Sequence, residues 1–228
     1  MIKKLFKTLV GVLLIPVAIG TGQAFYAQVS SISIVSGTLR ILERGVFAYL
    51  LFHVFIMRPV YVYVLGHEFV HVLATWLCGG HVVSFSVTPS GGNVITSKTN
   101  FFIELSPYFV PIYTILAGAV FILLKGMDKI SPTMSAIFLF AVGVTLAFHF
   151  VMTTEVIKMQ QPDIAKSGRV FSFVVIFAIN LVVVMAAFAP FFKLSFVEFI
   201  KTSGLNSWEL YRLSYNKALA FVNTYKIW

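Results

Sequence analysis

In the run Tyr61-Val62-Tyr63-Val64-Leu65-Gly66-His67-Glu68-Phe69-Val70-His71-Val72-Leu73-Ala74, three residues can do chemistry together. On a helix, His67 and His71 project from the same face, about 6 Å apart along the axis. That spacing suits two imidazoles gripping one tetrahedral zinc, with Glu68 beside them as a base for water. Three fixed letters arise by chance in roughly one chain in a hundred of this length, so the motif needs support from its setting. The bland alternative is a pair of core histidines. Against it, no charge except Glu68 lies between Arg58 and Lys98. A fixed carboxylate in so apolar a run needs a metal, a partner or water.

The elements that must position this trio are set by composition. The chain has 228 residues, 59% hydrophobic, 16% aromatic and only 11% charged, where soluble domains carry about 25% charge and about half apolar residues. The expected fold class is an all-α polytopic membrane protein: about six apolar helices, with a short β-hairpin after the H-E-x-x-H helix. The formal charge of +9 is spread over loops and both ends without a basic face. It suits lipid headgroups and topogenic signals, and argues against nucleic acid as a partner. Cys78 is the single cysteine, which excludes an intrachain disulfide and a cysteine-based zinc cluster. Any metal must be held by histidine and carboxylate.

Along the chain, Lys3, Lys4 and Lys7 precede an apolar stretch containing Pro16. A secretory signal would end near Ala24 or Ala27, but apolar character continues and further spans follow, so an uncleaved helix over 5–28 is expected. Ser30 to Thr38 reads as a loop, and 41–57 as a second apolar segment near the lower length limit for a span. After Arg58-Pro59 the motif helix runs over 60–77 and is ended by Gly79-Gly80. His81 to Thr88 then alternates, Pro89-Ser90-Gly91-Gly92-Asn93 makes a turn, and Val94-Ile95-Thr96 starts a return strand. This hairpin is either buried beside the metal helix or an ordinary exposed loop. Apolar segments follow at 101–124, 133–152 and 170–192, the first made irregular by Glu104, Pro107 and Pro111. The stretch from Thr153 to Arg169 reads as a polar loop. Beyond Lys193, alternating aromatics and charges as far as Trp228 suit one or two interfacial amphipathic helices.

A glycine before H-E-x-x-H on an apolar helix, then a hairpin carrying Pro-Ser-Gly-Gly, resembles the site-2 protease family of intramembrane zinc metalloproteases, as a divergent member. The similarity covers residues 58–98 and extends more loosely to about 190. It implies a single membrane domain over 1–228, with N-terminal helices at 5–57, a metalloprotease-like core at 58–192 and an interfacial tail at 193–228. It also implies a zinc cofactor held by His67 and His71, and Glu68 as catalytic base. The hairpin from Val82 to Val94 would hold substrate, through Val82, Ser84, Ser86, Gly91, Gly92 and Asn93. The setting would be the lipid bilayer of a bacterial or archaeal inner membrane, and the partner a membrane-protein substrate.

The family's third ligand is an aspartate in a later Leu-Asp-Gly, which this chain lacks. The nearest match is Gln160-Gln161-Pro162-Asp163-Ile164, similar to that of divergent members. Asp163 is therefore the expected third metal ligand, with His149 and Glu155 as alternates. Asp128, between Lys125 and Lys129, reads as a solvated loop charge, and Glu104 as a helix-start carboxylate that needs no metal. For Asp163 to serve, its loop and the Gly79 hairpin must share one membrane face. The leading function is an intramembrane metalloendopeptidase using zinc-activated water. The rivals are a catalytically silent relative that binds membrane partners, motivated by the missing Leu-Asp-Gly, and a multi-span transporter.

Overall fold

A computed structural model describes residues 2–33, 36–88, 91–159 and 161–225. Pro89 and Ser90 of the expected turn, Gln160 and Trp228 lie outside the described residues. In chain order the elements are α1 (Ile2–Leu13), α2 (Ile15–Val29), α3 (Gly37–Phe55), α4 (Val60–Leu77), β1 (Val82–Thr88), β2 (Gly91–Thr96) and α5 (Phe101–Leu105). After a 3-10 turn (Ser106–Tyr108) come α6 (Ile112–Gly126), α7 (Pro132–Lys158), α8 (Pro162–Ser167), α9 (Arg169–Phe192) and α10 (Phe196–Tyr225). The fold is mostly helical, with one two-stranded antiparallel sheet.

Among the described residues, four stretches are long and apolar enough to cross a bilayer: Leu5–Val29, Val60–Leu77, Pro132–Lys158 and Arg169–Phe192. A fifth is possible if Phe101–Tyr108 and Ile112–Gly126, bent by 76° at their break, are one span. These spans mark the chain as a membrane protein. Many of their apolar side chains face outward, Leu77 at 79% and Ile122 at 71% exposure among them, as bilayer-facing surfaces require. The described residues thus give four or five candidate spans, against the expected six or so apolar helices. The expected segment at 41–57 belongs to α3, which carries Arg40, Glu43 and Arg44 within its 19 residues, too much charge for a lipid-spanning helix.

Two compact units are seen, one of Met1–Ile32 with Gly168–Trp228 and the other of Ser33–Ser167. The expected 58–192 core is thus divided after residue 167, and α9 groups with the N-terminal helices. In the first unit, Ala24, Met185 and Phe199 form a buried cluster. The tail there is one long helix, α10, whose Phe199, Ser203 and Ser207 are buried.

The second unit holds every candidate site residue. Its core joins Tyr49, Tyr63, Ala147, Phe148 and Met152. α3 and α7 approach so closely that a Cβ on Gly45 would collide with the Phe140 carbonyl, and one on Gly143 with the Leu42 carbonyl. Small residues at a helix crossing let the two backbones meet and pack closely.

α4 ends as its sequence requires. Gly79 adopts φ +69°, Gly79 N–H donates to Trp76 O and Gly80 N–H to Thr75 O, each at 2.9 Å, a paired C-terminal cap that only glycine enters without strain. The following hairpin pairs Phe85 with Val94, Ser86 with Asn93 and Val87 with Gly92, and an irregularity separates the Val82 and Ser84 pairs. Thr153 to Arg169 is not a loop throughout. α7 runs on to Lys158, and α8 forms from Pro162, because proline fits a helix's first turn and an acid there meets the helix dipole favourably.

Candidate metal centre

α4 brings His67 and His71 to one face, with ring centroids 5.0 Å apart. Both are largely buried, and α8 delivers Asp163 to them. Asp163 Oδ2 lies 3.4 Å from His71 Nε2 and 3.9 Å from His67 Nε2. One ligand atom from each of the three residues falls within 4.8 Å of the others. The grouping joins residues nearly a hundred positions apart, which local helix geometry could not do.

Each of the three residues has a neighbour that limits where its side chain can go. Asn100 caps α5 by accepting from Ile103 N–H at 2.8 Å, and this short helix turns the Ile103 carbonyl towards α4. His71 Nδ1–H donates to that carbonyl at 2.7 Å, which fixes the ring plane and turns Nε2 towards Asp163, where it donates to the carboxylate when no metal is bound and would offer its lone pair to a metal. A backbone or carboxylate acceptor behind the imidazole is the usual arrangement around metal-binding histidines. Thr75 Oγ1–H donates to His71 O at 2.8 Å, anchoring the turn that carries the ring. Tyr108 packs edge-on against the His67 ring, with centroids 5.1 Å apart. Lys166 Nζ stands 3.9 Å from Asp163 Oδ1, so one oxygen faces the lysine and the other the imidazoles. Burial pushes the Asp163 carboxyl up, but hydrogen bonds and charge from His67 and His71 outweigh it and hold the group well below the usual carboxylate range. Asp163 is therefore a carboxylate, the form that binds metal.

These three donors open onto a polar cavity of about 190 Å³. Glu68, Gly92, Asn93 and Gln161 also line it. Glu68 lies against the Gly92 backbone: a Cβ there would stand 2.8 Å from both Cδ and Oε1 of the carboxylate. The hairpin thus packs on α4 and lines a polar cavity through β2, while most of its other residues are exposed, so it combines features of the two expected environments. Of the hairpin residues expected at the site, Gly92 and Asn93 line the cavity. Val82, Ser84 and Ser86, on β1, do not, and neither does Gly91, the first residue of β2; the cavity is lined from Gly92 onward, by β2.

The alternates for the third ligand lie elsewhere. Glu155 accepts from His53 Nε2–H at 3.3 Å and meets Arg58 at 3.5 Å. Because His53 donates there through Nε2, its Nδ1 accepts from the Tyr49 hydroxyl at 3.0 Å. This polar chain ties α3 and the α3–α4 connection to α7. His149 lies behind His67, away from Asp163, and lines a separate small cavity. Asp128 sits in the turn after α6 with φ +54°. Glu104 accepts from Thr99 at 3.0 Å and from the Ser167 hydroxyl, tying α5 to the end of α8.

No family model, curated protein or solved structure matches this chain. The functional reading therefore rests on the site itself.

Proposed function

We propose that the protein is an intramembrane zinc metalloprotease that cleaves membrane-embedded or juxtamembrane peptide bonds, as a divergent relative of the site-2 proteases in a cell's inner membrane. The observation that carries this is the convergence of His67 Nε2, His71 Nε2 and Asp163 Oδ2 beside Glu68 in a polar cavity. Two imidazoles and one carboxylate are a donor set of catalytic zinc sites, which keep a further position open. Bound there, zinc would supply Lewis acidity to water and to a peptide carbonyl.

The chain's own residues do the rest. Glu68 takes a proton from the attacking water and returns it to the leaving amine. Lys166 and Ile103 O hold Asp163 and His71 in place. β2 offers extended backbone beside Glu68, along which an unwound substrate segment can lie. The donor set is complete despite the missing Leu-Asp-Gly, which supports a catalytic protein over a silent relative. Purified protein is expected to carry about one zinc per chain and to cleave a synthetic transmembrane peptide, with cleavage lost to a chelator and restored by zinc. Protein without zinc, whose thermal midpoint ignores chelators, would return the motif to coincidence.

Gly92 gives a second test. Any side chain at this position must displace Glu68, since the two are already in contact. Gly92→Ala is expected to lower kcat roughly a hundredfold, the usual cost of about 1 Å of misplacement at a reacting group. Zinc content should stay at the parent level. Unchanged kcat in that variant would show that Glu68 is not held by the hairpin.

A further inference from the structure

His71 has an acceptor behind its ring, but His67 Nδ1 has none among the described residues, and neither does His149 Nε2. Both side chains are more than nine-tenths buried, at 9% and 6% exposure. Both line one small cavity, with Tyr63, Val70, Thr145 and Phe148 around them. About 20 Å³ there is open to the centre of a water-sized sphere, enough for one water and too little for a larger guest. Two buried polar nitrogens on an otherwise mostly apolar hole would be costly if left unsatisfied.

We propose that this cavity is a structural water site, and that through the water His149 positions His67 for the metal. The inference rests on the metal centre described above. The proton arrangement closes at every atom. His149 hydrogen-bonds the Tyr108 backbone; as its Nε2 is unpartnered, the bond runs from Nδ1–H to the carbonyl oxygen. Nε2 is then a pure acceptor. Water donates one proton to it and accepts from His67 Nδ1–H, so His67 Nε2 is the nitrogen kept on the Asp163 side, where its lone pair would go to a metal. The relay gives His67 what Ile103 O gives His71: a fixed tautomer, a fixed ring plane and a more basic ligand nitrogen. His149, expected as a possible metal ligand, becomes a positioning residue one water removed.

The experiment measures zinc affinity of the purified full-length protein in detergent by competition with a chromophoric chelator. His149→Phe keeps the ring volume and removes the acceptor; His149→Gln restores an amide oxygen that can take the water's proton. His149→Leu replaces the Phe variant if the latter does not elute as monodisperse protein. We expect the apolar variant to bind zinc about 10–100-fold more weakly, the usual loss for an outer-shell partner, and the Gln variant to recover to within about threefold of the parent. The zinc-free thermal midpoint should stay near the parent's in the Gln variant. Equal affinity in parent and apolar variant would overturn the proposal, as would equal losses with Gln and Phe, which would mark a packing role. A parent that binds no zinc would instead sink the metal centre, and this inference with it.

Discussion

Glu68→Gln is expected to remove cleavage while leaving the zinc in place. The two side chains are nearly the same size, so the contact with Gly92 and the lining of the cavity persist. None of the three converging donor atoms belongs to Glu68, so the metal site keeps its donors. What disappears is the proton acceptor. Positioned general bases contribute about 10²–10⁴ in rate, or roughly 3–5 kcal/mol of barrier. The fall should appear in kcat on a synthetic transmembrane peptide in micelles, with zinc measured on the same sample. Because the change also removes a buried charge, the thermal midpoint should not drop, which separates lost chemistry from lost fold. Turnover at the parent's rate would mean that another group moves the proton, and the proposed role of Glu68 would have to be abandoned.

What the sequence could reveal about this site depended on how local each cause is. α4 runs over Val60–Leu77, as read from an apolar run bounded by Pro59 and by Gly79-Gly80, because both punctuation marks act within a few residues. The hairpin was equally legible, from alternation and paired glycines. The end of α7 was not: polar composition hides helix when the residues, such as Glu155 and Lys158, are good helix formers. Glu155 is engaged by His53 and Arg58, partners about a hundred positions earlier, and nothing near Glu155 announces them. The break between α5 and α6 was flagged by Pro107 and Pro111, but not its consequence. That bend accompanies the placing of Ile103 O on His71, and a backbone carbonyl carries no sequence signature. Asp163 stood among three candidates for the same reason: its neighbours Pro162 and Lys166 describe an ordinary helix start, and only the packing of α8 on α5 sends it to the histidines.

The second large effect concerns that choice. His67→Ala, His71→Ala and Asp163→Ala are each expected to lose zinc at chelator concentrations the parent withstands, whereas Glu155→Ala keeps it. A removed outer-shell partner costs about 10–100-fold in metal affinity, so removal of one of only three donors must cost more than that range. Asp163→Ala is the most telling of the four, because it spares the motif that suggested a metal in the first place. It also removes the carboxylate charge that faces Lys166, so the balance of charge beside the site turns more positive and cation binding weakens further. Glu155→Ala is the control with the same side-chain chemistry. Its loss opens the chain through His53 and Tyr49 and should lower the thermal midpoint, yet its partners lie on α3 and in the connection before α4, and it is not among the converging donors. Zinc retained in full by Asp163→Ala, at chelator levels that strip His71→Ala, would show that the third donor lies elsewhere.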